Sequence, residues 1–214
     1  MMKSIRIDLV SDLVCPWCII GYKNLEYALL TLSDSLKAEI YWHPFELNPM
    51  MKPDGQNLRE HIAEKYGTSL DASIAARQTI TELGLGLGFK FNFSDDMKIY
   101  NTRKAHQLLL WSQSYNLQLE LEIALFRAYF THGRDISDSG VLLSITDSIG
   151  LERSLCEQIL DDESWAEAVS STEYQWLEAG IDSVPTMIIN KKHLISGAQP
   201  TEILVDTLLD IAEL

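Results

Sequence analysis

The chain is short of positive charge. Seventeen lysines and arginines face 31 aspartates and glutamates, a net charge of −14, which argues against nucleic acid or an anionic membrane surface as a partner. Solubility is the simpler use of that charge. Long apolar runs are also missing, and no stretch is long enough to span a bilayer. The opening residues Met1-Met2-Lys3-Ser4-Ile5-Arg6 lack the apolar region of an export signal and lead directly into an alternating stretch, so a cytoplasmic location is expected. Internal repeats and low-complexity tracts are absent. Cysteine is scarce, at three residues. In a reducing compartment structural disulfides are rare, so a close pair of cysteines points to chemistry instead. There is no second CxxC, and His43 and His61 lack ligand spacing, so no metal site is expected.

What is present centres on Cys15-Pro16-Trp17-Cys18. It follows Ile5-Arg6-Ile7-Asp8-Leu9-Val10, whose apolar residues at 5, 7 and 9 alternate as in a strand. It opens a segment with apolar residues at 19, 20, 25, 28, 29 and 32, the spacing of a buried helical stripe. Two cysteines therefore sit where a strand hands over to a helix. Pro16 falls in the first helical turn, where its missing N–H does no harm. The backbone N–H groups and the positive end of the helix dipole favour a thiolate at Cys15. Cys18, nearly one turn further, is placed to form or resolve a disulfide. The pair reads as a redox couple in which Cys15 attacks and Cys18 resolves. Cys156 lies on the apolar stripe of 155, 159 and 160 and reads as a buried, inert thiol.

With 214 residues, 46% of them hydrophobic, the chain suffices for one large domain or a domain carrying an insertion. Ala38–Trp42 alternates like a second strand, and the prolines of His43-Pro44-Phe45-Glu46-Leu47-Asn48-Pro49 end it. Strand, helix and strand in that order build a parallel pair. From Asn57 to Gly180 the pattern is mostly helical. Asn57 caps Leu58–Tyr66; Ser69 or Asp71 caps a segment reaching Leu83; Thr102–Tyr115, Leu119–Thr131, a helix from Ser137 or Asp138 to Ile149, Leu151–Leu160 and Ser164–Ala179 follow. Gly84-Leu85-Gly86-Leu87-Gly88-Phe89-Lys90-Phe91-Asn92-Phe93 reads as a flexible, partly apolar loop, since its glycine alternation is a weak match to a phosphate loop. Strand chemistry returns at Thr186–Ile189 and His193–Ser196, with Asn190-Lys191-Lys192 as the turn. A last helix over Glu202–Glu213 carries a stripe of Ile203, Leu204, Leu208 and Ile211. The expectation is an α/β, thioredoxin-like fold with a large all-helical insertion, divided as 1–52, 53–180 and 181–214.

At this point the chain resembles the DsbA-like thioredoxin-fold family, in particular its FrnE-like branch. The residues that carry the resemblance are Ser11-Asp12-Leu13-Val14-Cys15-Pro16-Trp17-Cys18, Pro44-Phe45-Glu46-Leu47-Asn48-Pro49, Asn101-Thr102-Arg103-Lys104-Ala105-His106, Leu125-Phe126-Arg127-Ala128-Tyr129-Phe130, Val184-Pro185-Thr186 and Ser196-Gly197-Ala198-Gln199-Pro200. The family implies a redox-active disulfide between Cys15 and Cys18 and a cis Val184-Pro185 peptide facing it, although only about 5–6% of X–Pro bonds in folded proteins are cis. Proline has no N–H, so the Val184 backbone beside it is open to an extended peptide or thiol substrate. The resemblance also extends to a sister branch, the 2-hydroxychromene-2-carboxylate isomerases and kappa-class glutathione transferases. Those proteins typically carry serine in place of Cys15 and no second cysteine, so this chain departs from them at both sulfurs.

Several residues keep two readings. Asn101 and Thr102 line the substrate cleft or cap a helix, capping being favoured for Thr102. Asp12 tunes the thiol or relays a proton, or is only a turn residue. His106 reads as a satisfied helix histidine. Trp17 brings no charge to the couple and offers a stacking surface. The activity expected is thiol-disulfide exchange with protein or small-molecule thiols and disulfides, without a tightly bound cofactor and with glutathione as a candidate co-substrate. The rivals are a glutathione-dependent isomerase or transferase and a non-enzymatic peptide-binding module built on the Trp17 surface.

Overall fold

The computed structural model describes residues 3–213; what was read at Met1, Met2 and Leu214 lies outside them. Strand β1 (Lys3–Ser11) is the centre of a four-stranded sheet, with β2 (Leu36–Pro44) on one edge and β5 (Thr186–Ile189) then β6 (His193–Ser196) on the other. β1 and β2 run parallel in register from Lys3↔Leu36 to Ser11↔Pro44, joined by helix α1 (Pro16–Thr31). β5 is antiparallel to β1, with Ile7↔Ile189 and Val10↔Thr186 paired. Ile7, Leu9 and Val10 are all buried, because both faces of β1 are covered. The three-residue β5–β6 turn places Asn190 and Lys191 at φ 53° and 57°, and Lys192 N–H closes it by donating to the Ile189 carbonyl at 3.0 Å. The Asn190 Oδ1 also accepts from Arg6 N–H at 2.9 Å, tying the turn back to β1.

Between β2 and β5 the chain builds a helical insertion. A small antiparallel pair, β3 (Gln56–Asn57) and β4 (Lys98–Ile99), clasps its first part; α2 (Leu58–Tyr66) and α3 (Leu70–Gly86) lie between them. Asn57 caps α2 by accepting from Arg59 and Glu60 N–H, and Ser69 caps α3 by accepting from Ala72 N–H. Then come α4 (Arg103–Ser112), a 3-10 turn (Gln113–Tyr115), α5 (Gln118–Phe126) and a π turn (Arg127–Thr131). Helices α6 (Ser139–Ser148), α7 (Arg153–Asp162) and α8 (Ala166–Glu178) lead back to the sheet, and α9 (Thr201–Glu213) closes the chain against α1. One continuous apolar core joins sheet and insertion, so the two are held by the same burial.

Three expectations change here. The stretch over 84–93 is not a flexible loop: α3 continues through Gly86, and Phe89 and Phe91 are buried in an aromatic cluster with Phe93 and Phe130. Apolar burial decides it, and only Gly84 is required for space, since a Cβ there would enter the Phe91 ring and lie 2.8 Å from the Phe89 carbonyl. Ile203 is not part of the last buried stripe but half exposed, while Leu204, Leu208 and Ile211 face α1 and the sheet. The β3–β4 pair, two residues a side, is too short to show a period of two.

Candidate active site

β1 ends at Ser11, and the turn Asp12–Cys15 delivers the chain into α1, with Cys15 N–H donating to the Asp12 carbonyl at 3.0 Å. Cys15 is the N-cap of α1 in an extended conformation, and Pro16 opens the helix where no donor is needed. Cys18 N–H donates to the Cys15 carbonyl at 3.1 Å, so the two cysteines stand one turn apart. Both are free thiols. Cys15 is 6% exposed and Cys18 is fully buried, while Trp17 stands 40% exposed beside them. Burial pushes the Cys18 thiol well above the usual range, and the neighbouring Cys15 sulfur pushes it further; the Asp12 backbone and the Ser11 hydroxyl pull the other way.

The opposite wall comes from the loop before β5. The Val184–Pro185 peptide is cis, and the Cys15 thiol donates to the Val184 carbonyl at 3.8 Å. α1 approaches Pro185 closely: a Cβ on Gly21 would lie 3.2 Å from the Pro185 ring.

Beneath the cysteines lies a buried polar cluster. The Asp12 carboxylate accepts from Leu47 N–H at 2.8 Å and holds the segment after β2 against the site. Its other oxygen is 3.4 Å from His106 Nε2, and neither atom has a hydrogen-bonding partner among the described residues. Burial alone would lower the His106 pKa, yet Asp12, with Glu122 and Glu46 beyond it, raises it above the ordinary value. Glu122, from α5, accepts from the Ser11 hydroxyl at 3.1 Å, and burial pushes its pKa up to about 8. Asp12 is thus both a turn residue, through its carbonyl, and part of a buried polar cluster, through its side chain. His106 is not the satisfied helix histidine expected.

Other residues land elsewhere. Asn101 donates to the Pro49 carbonyl at 3.2 Å, and its Oδ1 accepts from Arg103 N–H at 3.0 Å, so Asn101 is the residue that caps α4. Thr102, buried just before that helix, makes no cap hydrogen bond. Its backbone is already in the helical region, which points the hydroxyl away from the donors a cap must meet. Cys156 is fully buried, as the stripe implied, and burial raises its pKa.

A cavity of about 310 Å³ opens on Cys15 between α1, α2 and α3. Trp17, Ile62, Ile80, Phe93 and Phe130 are among its apolar walls, and Asn48, His61, Thr68, Ser73 and Arg77 are among its polar points. Neither Asn101 nor Thr102 lines it. Glu122 and the cavity residues Ile62, Arg77 and Ile80 were not singled out by sequence reasoning. Glu122 carried a signal: it lies on the stripe of Gln118, Leu121 and Leu125, where a carboxylate is expensive to bury.

A family profile described as a DSBA-like thioredoxin domain matches residues 6–209. Among solved structures, a probable DsbA oxidoreductase from Streptomyces coelicolor is 26% identical, superposes with a TM-score of 0.89, and is covered over 96% of this chain and 89% of that one. A 2-hydroxychromene-2-carboxylate isomerase shares the fold at TM-score 0.73 with 15% identity, covering 97% of this chain and 96% of the other. The cytosolic disulfide reductase DsbM from Pseudomonas aeruginosa, solved with GSH, does so at TM-score 0.67 with 16% identity, covering 98% and 100%.

Proposed function

We propose, for a chain that belongs to the DSBA-like thioredoxin family, that it is a thiol-disulfide oxidoreductase in which Cys15 attacks and Cys18 resolves. The observation that carries this reading is the asymmetry of the pair. Cys15 stands at the helix N-terminus against the Val184 carbonyl and the cavity, while Cys18 is sealed behind it.

In the reducing direction the Cys15 thiolate attacks one sulfur of a substrate disulfide. The S–S bond breaks, one substrate thiolate leaves, and a mixed disulfide remains on Cys15. Cys18 then has to lose its proton in a buried site that opposes ionisation. The Ser11 hydroxyl and the Glu122 carboxylate form the path for that proton. The Cys18 thiolate attacks the Cys15 sulfur, the second substrate thiolate leaves, and the protein ends with a Cys15–Cys18 disulfide. The substrate has gained two electrons and the protein has lost two. The oxidising direction is the same sequence reversed. The Val184 carbonyl accepts the backbone N–H or thiol of the substrate during the attack, and Trp17 covers its apolar side.

Cys15→Ser should abolish exchange, and Cys18→Ser should accumulate mixed disulfides that thiol reductants release. Retention of full activity by Cys15→Ser, measured as reduction of a protein disulfide, would remove the assignment. The solved neighbour bearing GSH supports glutathione as the co-substrate. Calorimetry of the reduced protein with millimolar glutathione tests this; binding that survives Cys18→Ser without exchange would favour the isomerase or transferase reading. A cytoplasmic setting suits a pair of free thiols and matches the neighbour described as cytosolic; thiol trapping in intact cells checks it.

A further inference from the structure

We infer that the cavity beside Cys15 is the seat of a small thiol or disulfide with an apolar, aromatic-sized body and a carboxylate, which Arg77 binds. The inference rests on the thiol-disulfide reading and specifies its substrate.

The size fits first. About 310 Å³ lies at the lower end of small-molecule sites and suits one half of an aromatic disulfide, held with its sulfur at Cys15. The walls fit next. Ile62, Ile80, Phe93 and Phe130 offer packing but no hydrogen bonds, so the part of a ligand against them is apolar, while Tyr66, Thr68 and Ser73 add hydroxyls elsewhere on the lining.

The polar points then define the other end of the ligand. Arg77, on α3, makes no ion pair among the described residues; its neighbours Arg59 and Asp95 pair with each other instead. Its one hydrogen bond is Nη1 to the Ser94 carbonyl, long at 3.4 Å, and its guanidinium rests over the Phe93 ring at 5.7 Å. Burial and the nearby Arg59 make that charge harder to hold, which an anion would relieve. Arg77 is partly exposed at the cavity wall with most of its five donors unpartnered among the described residues, so it is free to receive a carboxylate.

Asn48, also on the cavity wall, is already engaged. Its Oδ1 accepts from Lys65 Nζ at 2.8 Å and from His61 Nε2 at 2.9 Å. Lys65 can only donate, so the amide is oriented and Nδ2 faces the other way. That Nδ2 is buried and finds no acceptor among the described residues. A buried donor left unsatisfied is costly, but this one has no surface that a ligand could touch, so Arg77 alone carries the polar end.

The experiment is a single turnover of the pre-reduced protein, which needs no recycling partner. One disulfide is consumed, two substrate thiols are released, and Cys15–Cys18 becomes a disulfide. Three probes are compared: dithiobis(nitrobenzoate), aromatic with a carboxylate; dithiodipyridine, aromatic and neutral; and cystamine, cationic and not aromatic. Each rate is divided by that of a free thiol with the same probe. The expected result is a normalised preference for dithiobis(nitrobenzoate) that Arg77→Met lowers about tenfold or more, leaving the neutral aromatic probe unchanged. Ile80→Trp, which fills the cavity, should slow both aromatic probes and spare cystamine. Normal exchange with no preference, untouched by Arg77→Met, would overturn the cavity assignment while leaving thiol-disulfide chemistry standing. A wild-type protein that exchanges with none of the probes would overturn both. Arg77 is partly exposed and outside the core, so that arm does not depend on tolerance of the larger tryptophan.

Discussion

Replacing Glu122 by glutamine should make the protein more stable, and the gain should depend on pH in a defined way. Glutamine keeps an oxygen to accept from the Ser11 hydroxyl but can never ionise. Below pH 4.5 the carboxyl is protonated in folded and unfolded chains alike, so the two proteins should be nearly equal. Between pH 4.5 and about 8 the unfolded chain gives up its proton while the folded chain holds it. The native state then binds more protons than the unfolded state, so wild-type stability falls as pH rises through that window and levels off above it. A pKa difference between 4.5 and about 8 corresponds to about 5 kcal/mol at full ionisation, and to about 3 kcal/mol at pH 7. The assay is urea unfolding of the reduced proteins at pH 4, 7 and 9. A stability difference that does not change with pH, or favours the wild type at pH 9, would refute the burial argument. The same variant should lose activity in a matched way: resolution of a mixed disulfide, which in the wild type speeds up through about pH 8 as Glu122 becomes a base, should lose that inflection. Stability and proton relay would then trace to one carboxyl.

The couple should be less oxidising than DsbA, whose potential stands near −120 mV. Trp17 brings no charge to stabilise a thiolate. Equilibration against glutathione buffers measures the potential, and a value at or above that mark would contradict the reasoning. Gly84→Ala should destabilise by about 1–2 kcal/mol, because the crowding of Phe91 and the Phe89 carbonyl outweighs the gain in helix propensity; a more stable variant in urea would contradict it. Cys156→Ala should leave exchange rates unchanged, and native Cys156 should resist alkylation, since its sulfur is buried and its pKa raised. Mass spectrometry of alkylated native protein reads this directly.

Much of the fold was legible because it depends on local patterns. The strand edges at Thr186–Ile189 and His193–Ser196, the caps at Asn57, Ser69 and Asp138, and the placement of Cys15 at a helix start all follow from residues within one turn of each other. What was not legible depends on partners distant in sequence. Phe91 is buried because Phe130 waits for it from another helix, so glycine-rich spacing misled. Asn101 caps α4 in place of Thr102 because the chain enters that helix already turned, which composition does not reveal. Glu122 meets Ser11 across 111 positions, and Arg77 meets the cavity only once α1, α2 and α3 are assembled. The cysteines themselves were plain; the cleft around them is a tertiary construction.

The placement of the insertion has a consequence for the protein while it is being made. β1, α1 and β2 leave the ribosome first, whereas β5, which brings Val184 to Cys15, comes after Glu178 and the whole helical region. At bacterial or eukaryotic translation speeds of ~5–20 residues per second, on the order of ten to thirty seconds separate the appearance of Cys18 from that of Thr186. Throughout that interval the nascent chain carries both sulfurs without their lid, open to any oxidant or stray thiol nearby. A chain built this way exposes both sulfurs before the wall that will cover them has been made.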